Sequence, residues 1–292
     1  MTPPLPAAAL RPPAADGEAV DRAALAALRE ELELDPKPGL VSPRDAGAHR
    51  DMDAATFRRS LAALRGSFGE AAAAGAAGLP FAALRRLGVE AEARMLAATG
   101  GVNTHRGAIF ALGLLCAAAG RLRAAGRAPA GDALGREVAA AFGPSLRDGA
   151  APGPPSHGAA VARWHGAGGA REEAAAGFPH LFGVALPALE EGLARGAGRR
   201  AAAAQCLLAL VAALPDTNLL WRGGAEGLRY AQGAARSFLA AGGVHRRGWE
   251  ARLVALHVEF RARRLSPGGS ADLLAAALLV HGLRAAPAAG PR

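Results

Sequence analysis

Two stretches of this chain, 105–119 and 201–214, carry apolar side chains on every side when wound as an α-helix. A helix that is apolar all round must be covered on every face, so it belongs at the centre of other helices. Shorter patterns supply the covering layer. Leu25, Leu28 and Leu32 share one face, as do Phe57, Leu61, Leu64 and Phe68, and again Trp249, Leu253, Leu256 and Phe260. Apolar residues three and four apart mark an amphipathic helix with its stripe on a core. Strands would draw on β-branched and aromatic residues, yet aromatics make up only 4% of a chain that is 51% hydrophobic. Alanine and leucine fill the difference, and both favour helix. The expectation is an all-α fold: a single multi-helix domain with apolar central helices and ligand-binding loops at helix N-termini.

At 292 residues the chain is long enough to bury a core without disulfide or metal staples. Residues 1–17 are rich in Pro and Ala without periodicity and read as a flexible tail, as do 287–292, leaving 18–286 as the helical domain. The segment 144–158, dense in Pro and Gly, reads as a long surface loop. Cys116 and Cys206 lie in apolar helical stretches and read as buried, inert thiols. The N-terminus lacks a basic start followed by an apolar core, which argues against a secretory signal. The longest apolar runs, 107–120 and 201–214, fall short of the roughly 18 residues of a membrane span. These features point to a cytoplasmic protein with no membrane partner. The formal charge is +9, carried by dispersed arginines rather than runs. A solvated basic surface accounts for it, phosphorylated ligands are compatible with it, and nucleic acid is not expected because no helix has the basic face of a recognition helix.

In so biased a composition the rare residues carry information. Lys37 is the only lysine, and Asn103 and Asn218 are the only asparagines. They fall in five polar segments next to helical patterns, none of which is specific alone. In 31–53, Lys37 sits between two prolines, which exclude it from a helix. It is open to two readings, a point charge for a phosphate or an exposed lysine at a helix stop. Glu31 precedes it, and His49, Asp51 and Asp53 follow, where carboxylates also serve as caps. In 100–107 a glycine turn leads through Asn103, Thr104, His105 and Arg106 into a helix start, which suits an anion, although capping explains the Gly and Thr. In 168–179 Arg171 and Glu173 suit phosphate and a hydroxyl or metal, or a surface cap. In 215–224 Asp216 and Asn218 offer oxygens of the kind Mg²⁺ takes, and Arg222 precedes a glycine pair. In 265–272 Ser266 reads as N-cap and Pro267 as first helical residue, ahead of Gly268 and Gly269, with Asp272 left over. The signatures GxSxG, HExxH, GxGxxG after a strand and CxxC are absent. His157, His165, His180, His245, His257 and His281 are scattered without ligand spacing.

At these segments the chain resembles the triphosphoribosyl-dephospho-CoA synthase family, over about Leu28 to Leu283. The strings are Pro-Lys-Pro-Gly-Leu-Val at 36–41, Gly-Ala-His-Arg-Asp-Met at 47–52, Gly-Val-Asn-Thr-His-Arg-Gly-Ala-Ile-Phe at 101–110, Pro-Asp-Thr-Asn at 215–218 with Arg-Gly-Gly at 222–224, and Leu-Ser-Pro-Gly-Gly-Ser-Ala-Asp-Leu-Leu at 265–274. The stretch from Gly47 to Phe57 is more similar to the malonate decarboxylase branch than to the citrate lyase branch. Arg106 stands where lysine follows Asn-Thr-His in relatives, which keeps the charge, and Trp221 before Arg-Gly-Gly is unusual.

The resemblance implies that ATP and 3′-dephospho-CoA give 2′-(5″-triphosphoribosyl)-3′-dephospho-CoA and adenine. The ribose hydroxyl would attack the anomeric carbon, with a carboxylate as base. Glu31, Asp51, Glu173 and Asp216 are the catalytic candidates, unranked by sequence. Lys37, Arg106 and Arg222 would hold phosphates, with His49, Asn103, Thr104, His105, Arg171, Asn218, Ser266, Gly268 and Gly269 as further binding residues. Mg²⁺ is expected with ATP, on Asp51, Asp216 and Asp272. The product would pass to a holo-carrier-protein synthase for the malonate decarboxylase carrier subunit. The same reaction serving citrate lyase, and a Mg²⁺-dependent glycohydrolase passing the ribosyl group to water, are the alternatives.

Overall fold

The structure, a computed structural model, describes residues 15–148, 161 and 168–285. Twelve α-helices and no strands occur among them. Along the chain they are α1 (Ala15–Glu33), α2 (Ala54–Ala63), α3 (Ser67–Ala76), α4 (Phe81–Thr99), α5 (Arg106–Ala124), α6 (Ala133–Asp148) and α7 (Ala170–Ala175), then α8 (Leu186–Ala194), α9 (Arg199–Ala213), α10 (Thr217–Ala240), α11 (Trp249–Ala262) and α12 (Gly268–Ala285). A π-helical turn, Leu181–Ala185, runs into α8. The expected all-α class is the observed one.

The central position of the two all-apolar stretches also holds. In α5, Leu112, Leu115, Cys116 and Ala117 are fully buried, and so are Ala202, Cys206, Leu207 and Leu210 in α9. Burial pushes both cysteine thiols up, away from the reactive thiolate. A third central helix, α12, buries Leu274, Ala276, Leu279 and Val280 completely. The structure corrects one expectation here. α5 is long and apolar enough to cross a bilayer by length and composition, because the helix extends beyond the run 107–120, but 67% of that window is buried among other helices.

Two helices approach unusually closely because their contact faces are made of glycine and alanine. A Cβ on Gly75 of α3 would lie 2.0 Å from the Ala117 carbonyl oxygen, and one on Gly120 of α5 would lie 2.0 Å from that of Ala72. Adding a methyl group must push the helices apart. Gly120→Ala is therefore expected to destabilise the protein by about 1–3 kcal/mol, the usual cost of overpacking. Urea unfolding checks this, and an unchanged midpoint would mean that the pair re-seats without strain.

Several local expectations are revised. The Phe57–Phe68 stripe is not one helix. Gly66, at φ 84°, breaks it into α2 and α3, and Asp21 of α1 caps α3 by accepting from the Gly66, Phe68 and Gly69 N–H groups. The expected loop at 144–158 starts later, since Pro144 to Asp148 continue α6. That last turn is held from outside: Arg171 donates to the Leu146 carbonyl and Arg147 to that of Ala175. The rest of that loop, with His157, lies outside the described residues, as do His165, 1–14 and 286–292. α1 starts at Ala15, inside the expected tail.

Candidate active site

The segment between α1 and α2 folds back on the end of α1. Lys37 follows a cis Asp35–Pro36 peptide and turns inward. Its Nζ donates to the Glu31 carboxylate at 2.6 Å and to the Glu31 carbonyl at 2.6 Å. Only 1% of it is exposed, which overturns the reading of a solvent-facing lysine. Burial lowers its pKa, and the Glu31 and Asp35 charges oppose that shift. A phosphate reaching this ammonium would have to share it with Glu31.

The loop is pinned from α11. One His257 ring nitrogen bonds the Lys37 carbonyl at 3.0 Å and the other faces the Asp45 carboxylate at 3.0 Å, which Arg261 also reaches. His257 is thus a satisfied core residue. Its role was invisible in sequence because its partners lie 212 and 220 positions away.

A second network joins this loop to the start of α12. Arg222 donates to the Ala48 and Arg264 carbonyls and to His49 Nδ1 at 3.1 Å. A guanidinium only donates, so Nδ1 accepts, and Nε2 carries the hydrogen toward Ser266 Oγ at 2.9 Å. Burial and the Arg222 charge lower the His49 pKa, consistent with a neutral ring. The order Ser266, His49, Asp51 mimics an acyl-transfer triad. However, Asp51 is exposed and 3.5 Å from the Nδ1 that Arg222 occupies, and Ser266 is buried. Ser266 is also not the side-chain cap expected for α12, because its hydroxyl is committed to His49.

The α12 cap comes from elsewhere. Asp216 is the N-cap of α10, its Oδ1 accepting from the Asn218 and Leu219 N–H groups. Its Oδ2 accepts from the N–H of Ser270 at 2.8 Å and from the Ser270 hydroxyl at 3.0 Å, so one carboxylate ties two helix starts. Burial pushes its carboxyl up, against the lowering by the Ser270, Asn218 and Gly269 donors. The Asn218 amide lies over Gly268, and Asp216 over Gly269, where added Cβ atoms would meet them at 2.7 and 3.1 Å. Downstream, α10 breaks at the Gly223–Gly224 pair, where Gly224 is non-helical.

The third helix start is that of α5. Asn103 caps it by accepting from the Arg106 N–H. Arg106 is exposed and pairs with Glu92. His105 is buried, its Nδ1 2.6 Å from Ser60 Oγ, and burial with the nearby Lys37 charge takes its pKa down to about 3. Its Nε2 and the Thr104 hydroxyl are buried without partners. Asp272 of α12 approaches this turn and accepts from the Ala108 N–H.

Segments 31–53, 100–107, 215–224 and 265–272 are therefore brought together, and 168–179 is not joined to them by any hydrogen bond or ion pair among the described residues. Arg171 serves α6, and Glu173 accepts from the His180 N–H and faces its ring nitrogen at 2.7 Å. The expected metal set is not formed. Among the described residues no three acidic, His or Cys side chains group to hold an ion, and Asp216 already has its oxygens filled. These residues do not fit a protein-held Mg²⁺.

The site is thus built in an all-helical protein from three adjoining helix N-termini, a buried ion pair and a neutral histidine, and helix N-termini are places that suit anions. Comparison gives the family. Residues 17–290 match the family described as ATP:dephospho-CoA triphosphoribosyl transferase, and the chain belongs to it. A probable 2-(5″-triphosphoribosyl)-3′-dephosphocoenzyme-A synthase of Pseudomonas fluorescens is 45% identical over 262 residues, covering 88% of each chain. The Klebsiella pneumoniae 2-(5″-triphosphoribosyl)-3′-dephosphocoenzyme-A synthase is 45% identical over 88% of this chain and 91% of its own. The probable synthase of Acinetobacter calcoaceticus is 39% identical over 89% of each. No solved structure matches.

Proposed function

We propose that this chain transfers the 5-triphosphoribosyl group of ATP to the 2′-hydroxyl of 3′-dephospho-CoA and releases adenine. The observation that carries this reading is the match along nearly the whole chain to a family of transferases with that reaction. The site is compatible with it. Both substrates carry phosphate chains, and the starts of α5, α10 and α12 supply positive dipole ends, with Arg106 in the first turn of α5 and Arg222 in the second turn of α10. Mg²⁺ enters with the triphosphate as part of the substrate. The site's own residues bind and orient the two nucleotides, and its carboxylates bear on the acceptor hydroxyl and on the positive charge that develops at the anomeric carbon.

The similarity of Gly47 to Phe57 to the malonate decarboxylase branch supports a product destined for the carrier subunit of that enzyme, through a holo-carrier-protein synthase. Substrates of this kind support a cytoplasmic site for the reaction. The purified protein is to be incubated with ATP, Mg²⁺ and dephospho-CoA. Free adenine together with the triphosphoribosyl adduct, seen by mass spectrometry, is the expected result. Adenine released equally well without dephospho-CoA would instead mark a glycohydrolase. No adenine from a folded sample would rule out both.

A further inference from the structure

The charges of Glu31 and Asp216 act on Asp272 of α12, where that helix packs on the first turn of α5. Two of these carboxylates are already satisfied. Glu31 is closed by Lys37 at 2.6 Å, and Asp216 is filled by backbone and hydroxyl donors. The other acids proposed from sequence fare no better: Glu173 is taken up by His180, and Asp51 stands in solvent, its side chain 61% exposed. Asp272 differs from all of them. Among the described residues its carboxylate has no side-chain partner, and it keeps partial access to solvent while Glu31 and Asp216 are buried.

Its position is set by a close approach. Asp272 Oδ2 rests on the first turn of α5 where a Cβ on Gly107 would come within 2.0 Å of it, so only glycine admits the carboxylate there. The same turn holds the buried, unpartnered His105 Nε2 and Thr104 Oγ1. Unpaired polar atoms of this kind are rare in folded interiors and gather where a ligand completes them.

We propose that Asp272 is the base that removes the proton from the acceptor hydroxyl. The assignment rests on the triphosphoribosyl-transfer reading. In that step the hydroxyl oxygen bonds to the anomeric carbon of ATP as the carbon–nitrogen bond to adenine breaks. The electron pair of that bond goes to the purine, which takes a proton from solvent. The hydroxyl proton goes to an Asp272 oxygen and is then released to solvent.

Two variants test this in the full-length protein, with ATP, Mg²⁺ and dephospho-CoA as probes. Asp272→Asn keeps the shape and the acceptor for Ala108, and should lower kcat for adduct formation about 100-fold or more while KM for ATP stays within about threefold. Gly107→Ala keeps the acid but occupies its place, and should also lower kcat when assayed below the variant's own melting temperature. An active wild type with a folded D272N of near wild-type kcat overturns the assignment alone. If D272N does not fold, an unchanged kcat in G107A overturns it. A wild type that releases no adenine defeats the transfer reading, and the base with it.

Discussion

Lys37→Met should destabilise the protein by about 3–5 kcal/mol, the cost of removing one partner of a buried ion pair. Methionine roughly matches the length and volume of the lysine stem, so packing is largely kept. What is lost is the cation paired with Glu31, together with the donor to the carbonyl at the end of α1. The orphaned carboxylate is left almost fully buried beside the carboxylates of Asp216 and Asp272, whose charges already act on one another. The double variant K37M/E31Q removes both charges and should recover most of the loss, since a buried pair contributes less than its halves suggest. Denaturant unfolding of the two single variants and the double closes the cycle. A K37M protein within about 1 kcal/mol of wild type would mean that the pair is structurally idle.

The second large effect is expected at Asp216. Asp216→Ala takes the cap from α10 and the tie from α12, leaving the Asn218 and Ser270 N–H groups and the Ser270 hydroxyl without their acceptor. Two caps at about 1–2 kcal/mol each, with buried donors stranded, give a loss of about 3–4 kcal/mol. Asp216→Asn retains one acceptor oxygen and should fall between. Activity should drop in D216A below its melting temperature as well, because Asp272 sits on the same first turns of α12 that Asp216 fixes. Calorimetry and the adenine assay together check this. Wild-type melting in D216A would show that other groups tie the two helices.

Much of this was legible in the residues themselves. The two all-apolar stretches are central helices, and the rare residues Lys37, Asn103 and Asn218 all lie in segments that meet. Roles were not legible, because a carboxylate's role depends on what faces it. In sequence Glu31, Asp51, Glu173 and Asp216 are candidates that nothing ranks. Their partners are Lys37 six residues on, exposed surroundings beside His49, His180 seven residues on, and Ser270 at a separation of 54. Asp272 was read as a metal ligand because nothing in 265–274 reveals that Gly107 makes room for it. The Phe57–Phe68 stripe misled in the opposite way. Its spacing survives the break at Gly66 because α2 and α3 both face the same core.

The helix caps supplied from elsewhere in the chain have a consequence for how this protein comes apart. α3, α5 and α12 each begin with N–H groups accepted by a carboxylate on a different helix: Asp21, Asp272 and Asp216. An isolated helix of this length is marginal in water, and more so without its first turn secured. Asn103 secures the Arg106 N–H of α5 locally, but the other donors at the three starts wait for chain segments remote in sequence to dock. Unfolding should then be a single event shared by both halves of the molecule rather than a fraying from either end. A fragment cut before α12 would lose not only that helix but the acceptor that finishes α5, so the two halves are unsuited to exist as separate folding units.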